Sequence, residues 1–244
     1  GLEALTNQII RQIGGEYVTS SDLRMRSING QTVMAAPYLD NVIWGHESEL
    51  LKDAMYAAVS SYDSEMWKDA WDTTYAGQFD RERLIKSMIS TFNTTAMLNN
   101  RDVHFGNIAW DTKAQKMVLI DNTSNTLTNP LGGMKTGESR GSFPEAKFFD
   151  TARIDIKKFM EKHPEFLQFQ QDHLQQMREK VANPELIQKA ISLATSGNAD
   201  AQRVLDNIFK EYTMGNYQTA ARAYPNQLAY RLKLMQNEGT DFLS

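Results

Sequence analysis

The sequence predicts an α+β fold in which helices predominate and a few antiparallel strands form hairpins. Two observations support this prediction. Short strand-like segments flank tight turns within residues 23–36 and 108–120, which is typical of β-hairpins. Beyond residue 144, apolar residues recur at helical spacing almost to the end of the sequence. With 244 residues, 41% of them hydrophobic, the chain is long enough to bury a substantial core.

The first part of the chain is expected to form a helix and then a hairpin. Apolar residues at helical spacing predict a helix over residues 2–13, and Gly14 marks its end. The pair Asn29-Gly30 is a strong two-residue turn signal and predicts a hairpin over residues 23–36. Pro37 ends the second strand, and no further strand is expected in the residues that follow it.

The middle of the chain alternates helices with a second hairpin. Helices are predicted over residues 47–62 and 80–98, and Asp80 is well placed to cap the second one. The second hairpin spans residues 108–120, and residues 123–143 are expected to form a long irregular loop. The remaining predicted helices cover approximately residues 145–161, 164–181, 184–195, 199–212 and 217–236.

Composition excludes several classes of protein. No cysteine is present, so disulfides, zinc–thiolate sites and thiol nucleophiles are excluded. The net charge of −4 does not favour nonspecific contact with nucleic acid, and we expect no nucleic-acid partner. No apolar run approaches the roughly 20 residues that cross a bilayer, so no transmembrane segment is expected. The sequence also lacks the Gly-x-Ser-x-Gly and His-Glu-x-x-His motifs of serine hydrolases and zinc peptidases.

Polar side chains are concentrated in the loop before the second hairpin and directly after it. Asp102, His104 and Asn107 lie in the loop, and Asp121 follows the second strand. Phosphoryl transfer needs a group that orients the attacking hydroxyl and oxygen ligands that hold Mg²⁺ on the phosphates. Mg²⁺ commonly takes one or two carboxylates together with phosphate and water oxygens. These residues therefore suggest a metal–phosphate site, in which His104 could brace the loop.

Residues 102–107 read Asp-Val-His-Phe-Gly-Asn. This segment resembles the Asp-x-His-x-x-Asn motif of the atypical members of the kinase-like superfamily, which include aminoglycoside and choline kinase-like enzymes, HipA-like kinases and phosphoinositide kinases. Asp121 follows Asn107 by 14 positions, at the place of that family's second metal-binding aspartate. The resemblance implies ATP and Mg²⁺ as cofactors and Asp102 as the catalytic base, with His104 beside it. It implies Asn107 and Asp121 as the metal ligands.

The same resemblance implies a protein kinase-like fold that consists mostly of the helical large lobe. Residues 1–40 would be a partial small lobe, with a remnant of its sheet, and residues 41–244 would be the large lobe. The helix over residues 2–13 would correspond to the αC helix, with Glu3 as its glutamate. The hinge that holds the adenine would consist of Pro37, Tyr38 and Leu39.

The sequence departs from the family pattern in three respects. Asn122-Thr123 follows the second aspartate where protein kinases carry Phe-Gly, and Asn100 stands where they carry His. The family also anchors the nucleotide with a small-lobe lysine beneath a glycine-rich loop, whereas the first lysine of this sequence is Lys52. The sequence could be a fragment, it could be completed by a second polypeptide, or it could be a degenerate kinase that only binds partners.

Two functions remain open. The first is a phosphotransferase that uses ATP and Mg²⁺ and acts on a hydroxyl acceptor, either a protein Ser/Thr side chain or a phosphoinositide. The second is a catalytically inactive kinase-like module that scaffolds a partner protein. Truncation or completion is the favoured explanation, because an abandoned site would have little reason to keep Asp102, Asn107 and Asp121 together. The expected location is cytoplasmic, or a host cytoplasm if the protein is a secreted effector.

Overall fold

The structure is a computed structural model that describes residues 2–47, 49–98, 100, 103–122 and 153–211, together with 228–229 and 232–233. Helices α1 to α8 span Leu2–Ile13, Leu50–Ser60, Glu65–Ala70, Arg81–Leu98, Ile156–Lys162, Pro164–Val181, Glu185–Ala194 and Ala199–Glu211. Strands β1 to β6 span Val18–Ser20, Arg24–Ile28, Gln31–Ala35, Val42–Trp44, Ile108–Asp111 and Lys116–Leu119. The predicted α+β class is confirmed.

A four-stranded sheet in the order β1-β6-β5-β4 organises the region around the polar loop. Strands β5 and β6 form the predicted second hairpin, with Ile108 opposite Leu119 and Asp111 opposite Lys116. Strand β4 pairs antiparallel with β5, and β1 pairs parallel with β6. The expectation that no strand lies in the residues directly after Pro37 is wrong, because β4 begins at Val42. A strand of three residues is too short to show a period in the sequence, and pairing with β5 stabilises it.

Strands β2 and β3 form the predicted first hairpin as a separate two-stranded sheet. Asn29 and Gly30 both have positive φ angles, of 52° and 76°. This is the backbone that a tight two-residue hairpin turn requires, and asparagine and glycine are the residues that adopt it most readily. The turn signal in the sequence was therefore sufficient to locate this hairpin.

The helical predictions agree with most of the described chain, with two exceptions. The helix predicted over residues 145–161 begins at Ile156 among the described residues, because the side chain of Asp155 accepts a hydrogen bond from the backbone N–H of Lys158 and caps it there. Helix α3 was not predicted. Helices α1 and α6 have the predicted bounds, and α4 begins one residue after its predicted cap. The Oδ1 atom of Asp80 accepts a hydrogen bond of 2.8 Å from the backbone N–H of Arg83, which confirms the cap. The predicted loop over residues 123–143 lies outside the described residues. The helix predicted over residues 217–236 is described only at two short segments, which are helical.

One hydrophobic core extends from α1 to the tail of the chain. Helix α1 packs against α7, and Leu228 and Leu232 of the tail are buried in the same core. Trp71 is also buried there. Residues on both sides of the proposed boundary at residue 40 thus share this core, and the boundary itself stays a prediction. Among the described helices, none is both long enough and apolar enough to span a membrane.

Candidate functional site

The β5–β6 hairpin brings the two predicted metal ligands to the same end of the sheet. Asn107 is the last residue of a 3-10 turn, Phe105–Asn107, that leads directly into β5. Asp121 lies just beyond the end of β6, at the same end of the hairpin. The backbone N–H of Ile120 donates to the carbonyl oxygen of Asn107 at 2.9 Å, so the pairing continues one step past the strands. The sequence predicted this juxtaposition, and the hairpin register provides it.

Both predicted metal ligands are accessible, and one has an unusual backbone. Asn107 is half-buried and Asp121 is exposed. Asp121 has a φ angle of 50°, in the left-handed region that few residues other than glycine adopt. Aspartate and asparagine tolerate this region better than most residues, yet the conformation persists only where neighbouring contacts hold it. The contacts of Asn122 are therefore important for the geometry at Asp121.

His104 braces the loop in front of β5. Its Nδ1 atom accepts a hydrogen bond of 2.9 Å from the backbone N–H of Gly106. Its carbonyl oxygen accepts another, also of 2.9 Å, from the backbone N–H of Asn107. A Cβ atom at Gly106 would lie 2.8 Å from Nδ1, so a larger residue would displace the imidazole. These contacts match the predicted bracing role, while a catalytic role for His104 stays a prediction.

The remaining predicted site residues are not brought to this end of the hairpin by the described structure. Asp102 lies outside the described residues. Pro37 and Tyr38 are exposed and Leu39 is half-buried, in the segment that precedes β4. Because Val42 of β4 lies opposite Asp111, this segment approaches the turn end of the hairpin, the end opposite to Asn107. A ligand that contacts both would have to span at least the length of β5, about 13 Å.

A buried network of side-chain amides and hydroxyls lies beside the predicted metal ligand Asp121, and the sequence does not reveal it. The side chain of Asn122 is fully buried. Its Nδ2 atom donates to Oδ1 of Asn7, at 2.9 Å, and to Oγ of Ser20, at 3.2 Å. Its Oδ1 atom accepts from Nδ2 of Asn100 at 3.0 Å. The network connects α1, β1, the second residue after α4 and the segment after β6.

Each of the three residues that contact the side chain of Asn122 makes a further hydrogen bond. Oγ of Ser20 donates to the carbonyl oxygen of Leu119, the last residue of β6, at 2.8 Å. Nδ2 of Asn7 donates to Oγ of Ser21 at 2.8 Å. The backbone N–H of Asn100 donates to the carbonyl oxygen of Thr95 in α4 at 2.9 Å. The buried amides therefore have hydrogen-bond partners, as their burial requires.

Glu3, in the first turn of α1, is influenced by the charge of Asp121. Burial raises the pKa of Glu3, and the negative charge of Asp121 raises it further. A like charge nearby disfavours the ionised form of a carboxyl group. The predicted correspondence of Glu3 with the αC glutamate stays a prediction, but the charge relationship with Asp121 is a property of this structure.

The donor set suits Mg²⁺ only together with other oxygen ligands. Within the described ranges, no group of three or more His, Asp or Glu side chains is arranged to hold a metal ion. Asn107 and Asp121 offer an amide oxygen and a carboxylate, which are hard ligands of the kind that Mg²⁺ prefers. Phosphate and water oxygens would have to supply the other positions. The residues therefore fit a metal that binds together with a nucleotide.

A separate cleft of about 330 Å³ lies between α2, α3 and α5. Its walls include the aromatic side chains of Tyr56, Trp67 and Phe159 and the cationic side chains of Arg153 and Lys158. None of the predicted site residues lines it. The candidate site at the end of the sheet is thus distinct from this cleft.

No protein-family model matches the chain, and neither does any curated protein sequence. The resemblance to kinase-like enzymes therefore rests on the motif over residues 102–107, on Asp121 and on the order of the elements around them.

Proposed function

We propose that the chain is an ATP- and Mg²⁺-dependent phosphotransferase of the atypical kinase-like class, with the helical large lobe of that fold. The observation that supports this most is the hairpin that joins Asn107 and Asp121 through the 2.9 Å bond from Ile120. It brings an amide and a carboxylate to the same end of two neighbouring strands. The acceptor is a hydroxyl group, on a protein Ser/Thr side chain or on a phosphoinositide.

The residues of the site have separate roles in this proposal. Asn107 and Asp121 hold Mg²⁺, which when bound neutralises charge on the phosphates. Asp102 orients the acceptor hydroxyl and accepts its proton. His104 maintains the turn that presents Asn107, through the hydrogen bond from Gly106 to its Nδ1 atom. Pro37, Tyr38 and Leu39 contact the adenine.

A catalytically inactive kinase-like module that scaffolds a partner protein is the second candidate. It is favoured by the position of the first lysine, since a cation is expected on the α- and β-phosphates of a bound nucleotide. Lys52 lies in α2, and its ammonium group is paired with the carboxylate of Glu49. Unless residues outside this sequence supply that cation, ATP would bind weakly and transfer would be slow.

A transfer assay tests the proposal. The chain is incubated with γ-labelled ATP, Mg²⁺ and either Ser/Thr-containing peptides or vesicles that contain phosphatidylinositol. We expect label in one of the two acceptors, and no label with the Asp121→Ala variant. Asp72→Ala removes an exposed carboxylate from the π-helical turn Trp71–Tyr75 and serves as the matched control. Full transfer by Asp121→Ala would contradict the site assignment, and no label in either acceptor would favour the scaffold.

A further inference from the structure

We infer that Asn122 and Asn7 form a positioning pair, which fixes the segment after β6 so that Asp121 can bind the metal. This inference rests on the proposed function, because it concerns the geometry of the same metal site. Neither residue is itself a proposed ligand. Their side chains meet across 115 positions of sequence, with Nδ2 of Asn122 donating to Oδ1 of Asn7 at 2.9 Å.

Asn122 follows a residue with an unusual backbone conformation. Asp121 has a φ angle of 50°, which costs free energy in a residue other than glycine. The two residues share a peptide plane, so a rotation of Asn122 would redirect the carboxylate of Asp121. The buried amide of Asn122 donates two hydrogen bonds and accepts one, and this restricts that rotation.

Two hydrogen-bond partners of Asn122 belong to α1 and β1. Asn7 belongs to α1, which packs within the hydrophobic core and is therefore a rigid anchor. Ser20 belongs to β1, and its Oγ atom also donates to the carbonyl oxygen of Leu119 in β6. Asn122 is thus held in relation to the end of the strand from which Asp121 projects. Partners behind metal ligands of this kind commonly set ligand orientation and metal affinity.

Asn122 also contacts the segment that precedes β5, on the other side of the hairpin. Asn100 donates to Oδ1 of Asn122 at 3.0 Å, and it stands two positions before Asp102 in the sequence. One side chain therefore contacts both segments that carry the proposed site. A buried amide with a purely structural role could satisfy its hydrogen bonds within a single element, whereas Asn122 joins four separate parts of the chain.

The test measures the affinity for ATP with and without Mg²⁺ by titration calorimetry, in the wild type and in Asn122→Leu, Asn7→Leu and the double variant. In both single variants, we expect the gain in affinity that Mg²⁺ provides to fall by about 10–100-fold. The affinity for ATP without Mg²⁺ should not change. The double variant should lose no more of this gain in affinity than the more strongly affected single variant does, because both substitutions break one shared network.

Asn93→Leu is the matched control. Asn93 is also a fully buried asparagine, and its Nδ2 atom lies 3.2 Å from Nδ1 of His173, in contact with α6 instead of the site. This variant should lose stability while the dependence on Mg²⁺ is kept. If a leucine variant is not folded by circular dichroism, Asn122→Ser and Asn7→Ser replace it, since serine keeps a hydrogen-bonding group of smaller size.

The outcomes separate the inference from the proposed function. If the wild type binds ATP without any dependence on Mg²⁺, the proposed function fails and the positioning pair fails with it. If the wild type depends on Mg²⁺ and the folded Asn122 and Asn7 variants depend on it equally, only the positioning pair is overturned. The same loss of dependence in Asn93→Leu would indicate a general effect of destabilisation and would also overturn it.

Discussion

The backbone N–H of Ile120 donates to the carbonyl oxygen of Asn107 at 2.9 Å, one step beyond the last paired residues of β5 and β6. This bond keeps the residue before β5 and the residues after β6 side by side. An amide and a carboxylate that are 14 positions apart in sequence are therefore presented at one end of a rigid hairpin. One amide and one carboxylate suit a metal that arrives together with a nucleotide, whose oxygens supply the other ligands.

Substitution of Gly106 should displace the imidazole of His104, which stabilises the loop before β5. In Gly106→Ala, the new Cβ atom would lie 2.6 Å from Cε1 and 2.8 Å from Nδ1 of His104, so the imidazole must move. The hydrogen bond from the backbone N–H of residue 106 is then lost, at a cost of about 1 kcal/mol. The ¹⁵N chemical shift of His104 Nδ1 should move accordingly, and Mg²⁺-dependent ATP affinity should fall. In Gly77→Ala, where a Cβ atom would meet no other atom within 4 Å, both should stay unchanged.

Removal of the charge of Asp121 should lower the pKa of Glu3. Burial is the main cause that raises this pKa, and the carboxylate of Asp121 adds to it. In Asp121→Asn the second cause disappears, so the pKa of Glu3 should fall but stay above its ordinary value. The ¹³C shift of the Glu3 carboxyl group, followed during a pH titration, gives this pKa directly. An unchanged pKa would show that α1 does not face Asp121.

The buried imidazole of His173 should make the fold sensitive to acid. Burial, together with the positive charge of Lys180, lowers its pKa from 6.5 to about 4. Between these values the unfolded chain binds a proton that the folded chain does not, so stability falls as the pH falls from 6.5 towards 4. The full effect is about 3 kcal/mol. Urea unfolding between pH 7.5 and 4.5 should show this slope in the wild type and a smaller one in His173→Gln. Equal slopes would mean that another group is responsible.

Local patterns were sufficient to predict most helices and both hairpins, because each depends on residues close in sequence. The turn at Asn29-Gly30 and the cap at Asp80 are examples. Strand β1 could not be predicted in this way, since its three residues are defined by parallel pairing with β6, where Ser20 lies opposite Leu119. Pairing over such a sequence distance leaves no periodic signal in a strand of three residues.

In the candidate site, too, features set by residues close in sequence could be predicted and features set by distant residues could not. Asn107 and Asp121 could be identified because one hairpin joins them, and the motif points to the first of them. The network behind them could not, because its amides and hydroxyls come from separate segments. Asn7 lies in α1 beside Thr6 and Gln8, and the structure buries all three polar side chains. Consecutive polar residues are ordinary on an amphipathic helix, so the sequence does not show that Asn7 is buried.

The affinity for ATP, measured with and without Mg²⁺ in the wild type, in Asn107→Ala and in Asp121→Ala, tests the metal site most directly. We expect the wild type to bind ATP more tightly with Mg²⁺, and each variant to lose that gain while it keeps its affinity for ATP alone. Mg²⁺ without ATP should bind weakly, because nucleotide oxygens complete its coordination. An equal gain from Mg²⁺ in the wild type and in both variants would contradict the assignment of Asn107 and Asp121 as its ligands.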